Sequence, residues 1–70
     1  AHEERELLRQ SWLAVFPDRV MQAEKMVVQA IELENRGEDA SAKRLLAEAI
    51  ELDPFNQALA VLAEAWKRAS

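Results

Sequence analysis

Few residues of this 70-residue sequence could carry covalent or acid–base chemistry. The hydroxyl nucleophiles are Ser11, Ser41 and Ser70, and the one histidine is His2. A serine attacks only when a base sits within hydrogen-bond reach and a third group orients that base. His2 stands beside the N-terminus, where nothing in the adjoining sequence would hold it. Carboxylates are plentiful, as at Glu32, Glu34, Glu38 and Asp39, and two of them could pair as general acid and base. Solvated helix faces produce such runs routinely, however, and a chain this short has little room for a substrate pocket. There is no cysteine, which removes disulfides and thiolate metal sites. The acidic residues lack the alternating oxygen-ligand spacing of a calcium loop. The sequence therefore predicts no catalytic residue, no metal and no cofactor, in a protein that is not an enzyme.

What remains is binding. The formal net charge is −4, whereas nucleic-acid modules usually carry a basic patch or stripe. The longest basic grouping is Lys67-Arg68, at an expected helix end where cations favour the helix dipole. Nucleic acid is thus not an expected partner. No apolar run approaches the length of a membrane span, and the first residues are charged rather than apolar, unlike a signal peptide. With no cysteine, these features favour the cytoplasm. The chain begins with Ala1, as a processed protein or an excised domain would, which leaves localisation open.

Any binding face must be built from helices. Ala, Leu, Glu, Lys, Arg and Gln dominate the composition, and all are good helix formers. One glycine and two prolines offer little turn chemistry for hairpins. The punctuation is Pro17-Asp18, Gly37-Glu38-Asp39 and Asp53-Pro54. Proline disfavours helix in the residue before it and suits the first turn of the next. Glycine suits the left-handed residue after a helix end. These marks predict an all-α fold, a single domain over residues 1–70 with helices at about 3–15, 18–36, 39–52 and 56–68. Connections of two to four residues make neighbours antiparallel.

Apolar spacing assigns each helix a face. Leu7, Leu8, Ser11, Trp12 and Val15 share one on the first helix. Ala42, Leu45, Leu46, Ala49 and Ile50 do so on the third, with Asp39 as its expected N-cap. Leu59, Leu62, Ala63 and Trp66 line the fourth, capped by Asp53 or Asn56. The second helix has two faces: Met26, Ala30 and Leu33 on one, Val20, Val27 and Ile31 on another, with Val28 to the side. One partner helix covers a stripe of only about 100°, so this helix needs cover from two directions. The first and third helices could supply it, or the third helix and a separate chain.

From Met26 to Pro54 the sequence reads Met26-x2-Gln29-Ala30-x2-Leu33, then Gly37, then Ala42-x3-Leu46-x2-Ala49, then Asp53-Pro54. This resembles the tetratricopeptide repeat, which keeps those slots at those spacings. The likeness covers about Ala23–Asn56, roughly half the chain. In it Ala30, Ala42 and Ala49 take the small-residue slots where two helices approach closely, and Pro54 takes the proline slot. Met26, Leu33 and Leu46 stand where the family often has aromatics, and Gln29 where it usually has leucine. The flanks resemble degenerate half-repeats: "WLAVFPDR" (Trp12 to Arg19) a repeat end, and the fourth helix the start of a following repeat, if one residue is deleted. The two prolines lie three residues further apart than the usual period, which implies a longer second helix or an irregular entry. A three-helix trafficking (MIT-type) domain shares a similar "AIELE…G" stretch but does not explain the first helix.

The resemblance implies a short antiparallel array that binds a peptide or helix in a groove lined by its first helices. The groove positions it carries over are Glu24, Val27, Ile31, Glu34 and Asn35. Val27 and Ile31 occupy two slots where some members clamp a carboxylate with lysine and asparagine, which disfavours a clamp. An apolar strip between Glu24 and Glu34 suits an amphipathic or basic-flanked helix. The expected role is an adaptor, chaperone or assembly subunit. Trp12 and Phe16 are candidate interface anchors, since tryptophan is typical of binding hot spots, while Trp66 is expected in the core. Two other readings stay open. The first helix could cover Val27 and Ile31, closing an ordinary four-helix core. Alternatively the apolar faces could pair between copies, most simply as a two-fold dimer.

Overall fold

A computed structural model describes residues 2–69, with side chains described from residue 3. The His2 side chain and Ser70, weighed above for catalysis, lie outside the described residues. Four helices account for nearly all of the described chain: α1 (His2–Val15), α2 (Pro17–Asn35), α3 (Asp39–Leu52) and α4 (Gln57–Ala69). No strand occurs among the described residues. Each boundary falls within one residue of its expected place.

The junctions follow from local chemistry. Pro17 opens α2 in the first turn, where its missing N–H is no loss. Gly37 adopts φ 85° after the end of α2. The Glu38 N–H donates to the Leu33 carbonyl at 2.9 Å and the Gly37 N–H to the Glu34 carbonyl at 3.0 Å. This pair of bonds is the Schellman motif, which satisfies carbonyls that a helix end leaves open. Asp39 does not cap α3. It is the first helical residue, Glu38 takes the cap position, and no side chain accepts a hydrogen bond there. The two-residue turn leaves Asp39 inside the helix, where its charge still favours the N-terminal dipole. Asn56 caps α4, its Oδ1 accepting the Ala58 N–H at 3.1 Å.

The centre of the molecule is the antiparallel pair α2–α3, with α4 lying against α3. Ala23, Ala30, Leu46, Ala49 and Leu59 form the buried cluster, and Met26, Val27, Leu45, Ile50, Leu62 and Trp66 pack partly buried around it. Ala30, Ala42 and Ala49 have no exposed surface. With no side chain beyond Cβ, they let the backbones of α2 and α3 come close.

The molecule measures 35 × 26 × 13 Å, so it is a slab. Its accessible surface of 5160 Å² exceeds by about 700 Å² the ~4450 Å² of a compact monomer of this mass. That excess is close to the ~800 Å² that one partner gives up in a standard protein–protein interface.

α1 departs from expectation. Its apolar stripe does not face the core: Leu7, Leu8 and Val15 are 62%, 49% and 67% exposed. The side turned inward instead carries the half-buried Arg9 and Trp12, with Phe16 just past the helix end and the exposed Arg5 along the same side. The Arg9 guanidinium donates to both oxygens of Asp53 at 3.1 Å. The Trp12 indole N–H donates to the Leu52 carbonyl at 2.9 Å, and Arg5 donates to the Gln57 side chain at 3.1 Å. Polar partners at the α3–α4 turn, rather than apolar area, decide how α1 is rotated. Leaving the buried Asp53 carboxylate without its cation would cost about 2–3 kcal/mol.

Candidate interaction surface

Because α1 reaches over to the α3–α4 turn, it does not close over the outer stripe of α2. Along that stripe Val20 is buried, Val27 is half-buried against the core cluster, and Ile31 is 41% exposed. The reading in which α1 covers both Val27 and Ile31 therefore does not describe this structure. Cover is given to the first turns of α2 and withdrawn from the rest.

The helical period places Glu24, Val27, Ile31, Glu34 and Asn35 on one contiguous strip of α2. Glu24, Glu34 and Asn35 are exposed. Two further apolar residues widen the strip, Met21 and Val28, at 56% and 57% exposure. The surface is thus an aliphatic band bordered by Glu34 on one side and by Glu32 and Lys25 on the other, with Glu24 set within it between Ile31 and Val28. It is charged and apolar at once, and it suits contact with another polypeptide. Gln29, the polar residue in a slot the tetratricopeptide pattern usually keeps apolar, is exposed and needs no internal partner.

Trp12 and Phe16 are both half-buried, and their rings serve the chain internally. They lie 4.5 Å apart between centroids, Phe55 meets Trp12 edge-on at 5.7 Å, and the Arg19 guanidinium stacks 4.6 Å over Phe16. This small aromatic cluster, with the indole bond to Leu52, fastens α1 to the α3–α4 turn.

Two concave regions had no counterpart in the sequence reading. One lies where α1 meets the start of α4, about 470 Å³ in volume, between Arg5, Leu8, Phe55 and Ala60. The other is a cleft of about 230 Å³ between α3 and α4, floored by Leu46, Ala47, Ile50, Ala63 and Trp66 and edged by Lys43 and Lys67. The α3–α4 cleft is nearly all apolar. Leu46, Ile50, Ala63 and Trp66 were legible as core stripes, but a stripe does not tell which part of a helix face its neighbours leave open.

Among the described residues no group of three or more His, Cys, Asp or Glu side chains is placed to hold a metal ion. No buried side-chain polar atom there lacks a hydrogen-bond partner. No helix among the described residues is long and apolar enough to cross a membrane. No family model, curated protein or solved structure matches the chain.

Proposed function

We propose that the chain is a non-enzymatic protein-interaction module of tetratricopeptide-like build, which binds an amphipathic helix with basic flanks on the outer strip of α2. The observation that carries this reading is the exposure of Ile31, Val28 and Met21 on a helix whose opposite side is core. An aliphatic band that wide is worth covering, and Glu24 within it and Glu32 and Glu34 beside it select for a partner with cationic side chains. The tetratricopeptide comparison is supported by the helix-turn-helix of α2 and α3, the complete burial of Ala30, Ala42 and Ala49 and the position of Pro54 after α3.

The test is fluorescence anisotropy with a labelled helical peptide, leucines on one face and lysines beside them. The wild-type chain binds it. Ile31→Lys with Val28→Lys, both on exposed positions, weakens binding about tenfold or more while helicity is kept. Equal binding by the variant would defeat the proposal, as would equal binding of a peptide whose lysines are replaced by glutamates.

A second reading is favoured by a separate observation, the surface excess of the slab: the chain acts as a structural subunit that associates with itself. If the α2 strip is its interface, the Ile31→Lys, Val28→Lys variant lowers the solution mass across a concentration series, and if the strip binds another protein the mass is unchanged.

A further inference from the structure

Two apolar surfaces lie outside the α2 strip, and they match one another. The first is the outer face of α1. Glu4, Leu7, Leu8, Ser11 and Val15 fall together on one side of α1, with Leu7, Leu8 and Val15 the exposed aliphatics, Glu3 and Glu4 in the first turn, and Glu4 and Leu8 at the edge that borders the α1–α4 concavity. The second is the α3–α4 cleft, apolar along its floor and edged by Lys43 and Lys67 at one end.

We propose that a second copy of the chain lays the outer face of its α1 into the α3–α4 cleft, so that copies add head to tail. Three features fix the occupant and its direction. Charge comes first. The cleft's lysines stand where α3 begins and α4 ends, and the glutamates of α1 stand where α1 begins. Only an α1 running antiparallel to α4 brings the two signs together, and that is how consecutive helices of a stacked array run.

Register is the second feature. Lys43 is followed three and four residues later by Leu46 and Ala47. Glu4 is followed at the same steps by Leu7 and Leu8. With both helices running the same way at ~1.5 Å per residue, the ion pair and the apolar contacts form at one setting. Ser11 then lies by Ile50.

Area is the third. The surface of the slab exceeds that of a compact monomer by close to the ~800 Å² that one partner gives up at one standard interface, which accounts for one of the two surfaces that an interior copy would bury. The face and the cleft are different surfaces of one chain, so the contact is heterologous. Such contacts add copy after copy, into an open array or, where the rotation closes, a ring.

This inference does not depend on the α2 strip, whose residues take no part in it. The experiment is sedimentation equilibrium from micromolar to millimolar concentration, with helicity followed by circular dichroism. The wild-type mass is expected to rise beyond two copies, and to rise less at high salt. One variant carries Lys43→Glu and Lys67→Glu, the other Glu3→Lys and Glu4→Lys. Each alone places like charges at the junction and is expected to associate about tenfold more weakly or less. Mixed in equal amounts, they are expected to associate again, because the basic α1 of one meets the acidic cleft of the other. A misfolded variant could not give that recovery. A monomer at every concentration overturns the proposal. So does a mass that stops at two copies, association indifferent to both variants, or a mixture no better than its parts.

Discussion

Arg9 and Asp53, 44 residues apart in sequence, are joined by one guanidinium nitrogen that donates to both carboxylate oxygens at 3.1 Å. The Asp53 side chain is 1% exposed and that of Arg9 29%, so the pair is mostly shielded from water. Asn56 donates a third bond to Asp53 at 3.1 Å. This one carboxylate therefore holds α1, the end of α3 and the start of α4 together.

Removing the cation should be costly. Arg9→Met leaves the buried carboxylate with Asn56 alone, and the expected loss is about 2–3 kcal/mol. For a domain of this size that lowers the melting temperature by roughly 10 °C or more. Adding Asp53→Asn to the same chain should recover part of the loss, because no uncompensated charge stays buried. Thermal melts of the two variants check this. Equal stability of wild type and Arg9→Met would mean the pair contributes nothing.

Detaching α1 should also unwind it. A helix of 14 residues is marginal in water without a partner surface. Trp12→Ala removes the ring that meets Phe16 and Phe55 and the bond to Leu52, and α1 should fray. The expected reading is a loss of about a quarter of the helical circular dichroism signal at low temperature, with the α2–α3 pair retained.

Gly37 has open space around its missing Cβ but holds φ 85°. Gly37→Ala should therefore destabilise by about 1–2 kcal/mol through backbone strain alone. Gly37→Asn should cost less, since asparagine tolerates the left-handed region. Urea titrations measure both, and a neutral alanine variant would show that the turn relaxes.

The alanine contact between α2 and α3 should tolerate no enlargement. Ala49→Leu adds three carbons where there is no exposed surface, at an expected cost of about 3 kcal/mol or more. Ala40→Leu, at an exposed position of the same helix, should stay within about 0.5 kcal/mol. Similar costs at the two sites would mean that the helices are not held at close approach.

The helices and most of their inward faces could be read from the sequence because the signals are local. Pro17, Gly37 and the Asp53-Pro54 step mark the ends, and the stripes of α2, α3 and α4 recur at helical spacing. The orientation of α1 could not be read so. Leu7, Leu8 and Val15 look like a core face by spacing, yet Arg9 and Trp12 turn it outward through partners 44 and 40 residues away. A long-range polar pair leaves no periodic trace. The candidate strip on α2 was legible as a second stripe too wide for one neighbour. Which part stays open, Ile31 rather than Val20, depends on where α1 ends up. The α3–α4 cleft was not legible at all, since it arises from what the packing of two ordinary stripes leaves uncovered.

The most direct test of the interaction surface is a titration of isotope-labelled chain with the leucine–lysine helical peptide, followed through backbone amide resonances. The account expects shifts concentrated from Glu24 to Asn35, saturating with the peptide, while the amides of Leu46 to Ile50 and the α4 side of the cleft stay in place. Shifts confined to the α3–α4 cleft, or none at peptide concentrations that saturate anisotropy, would contradict it.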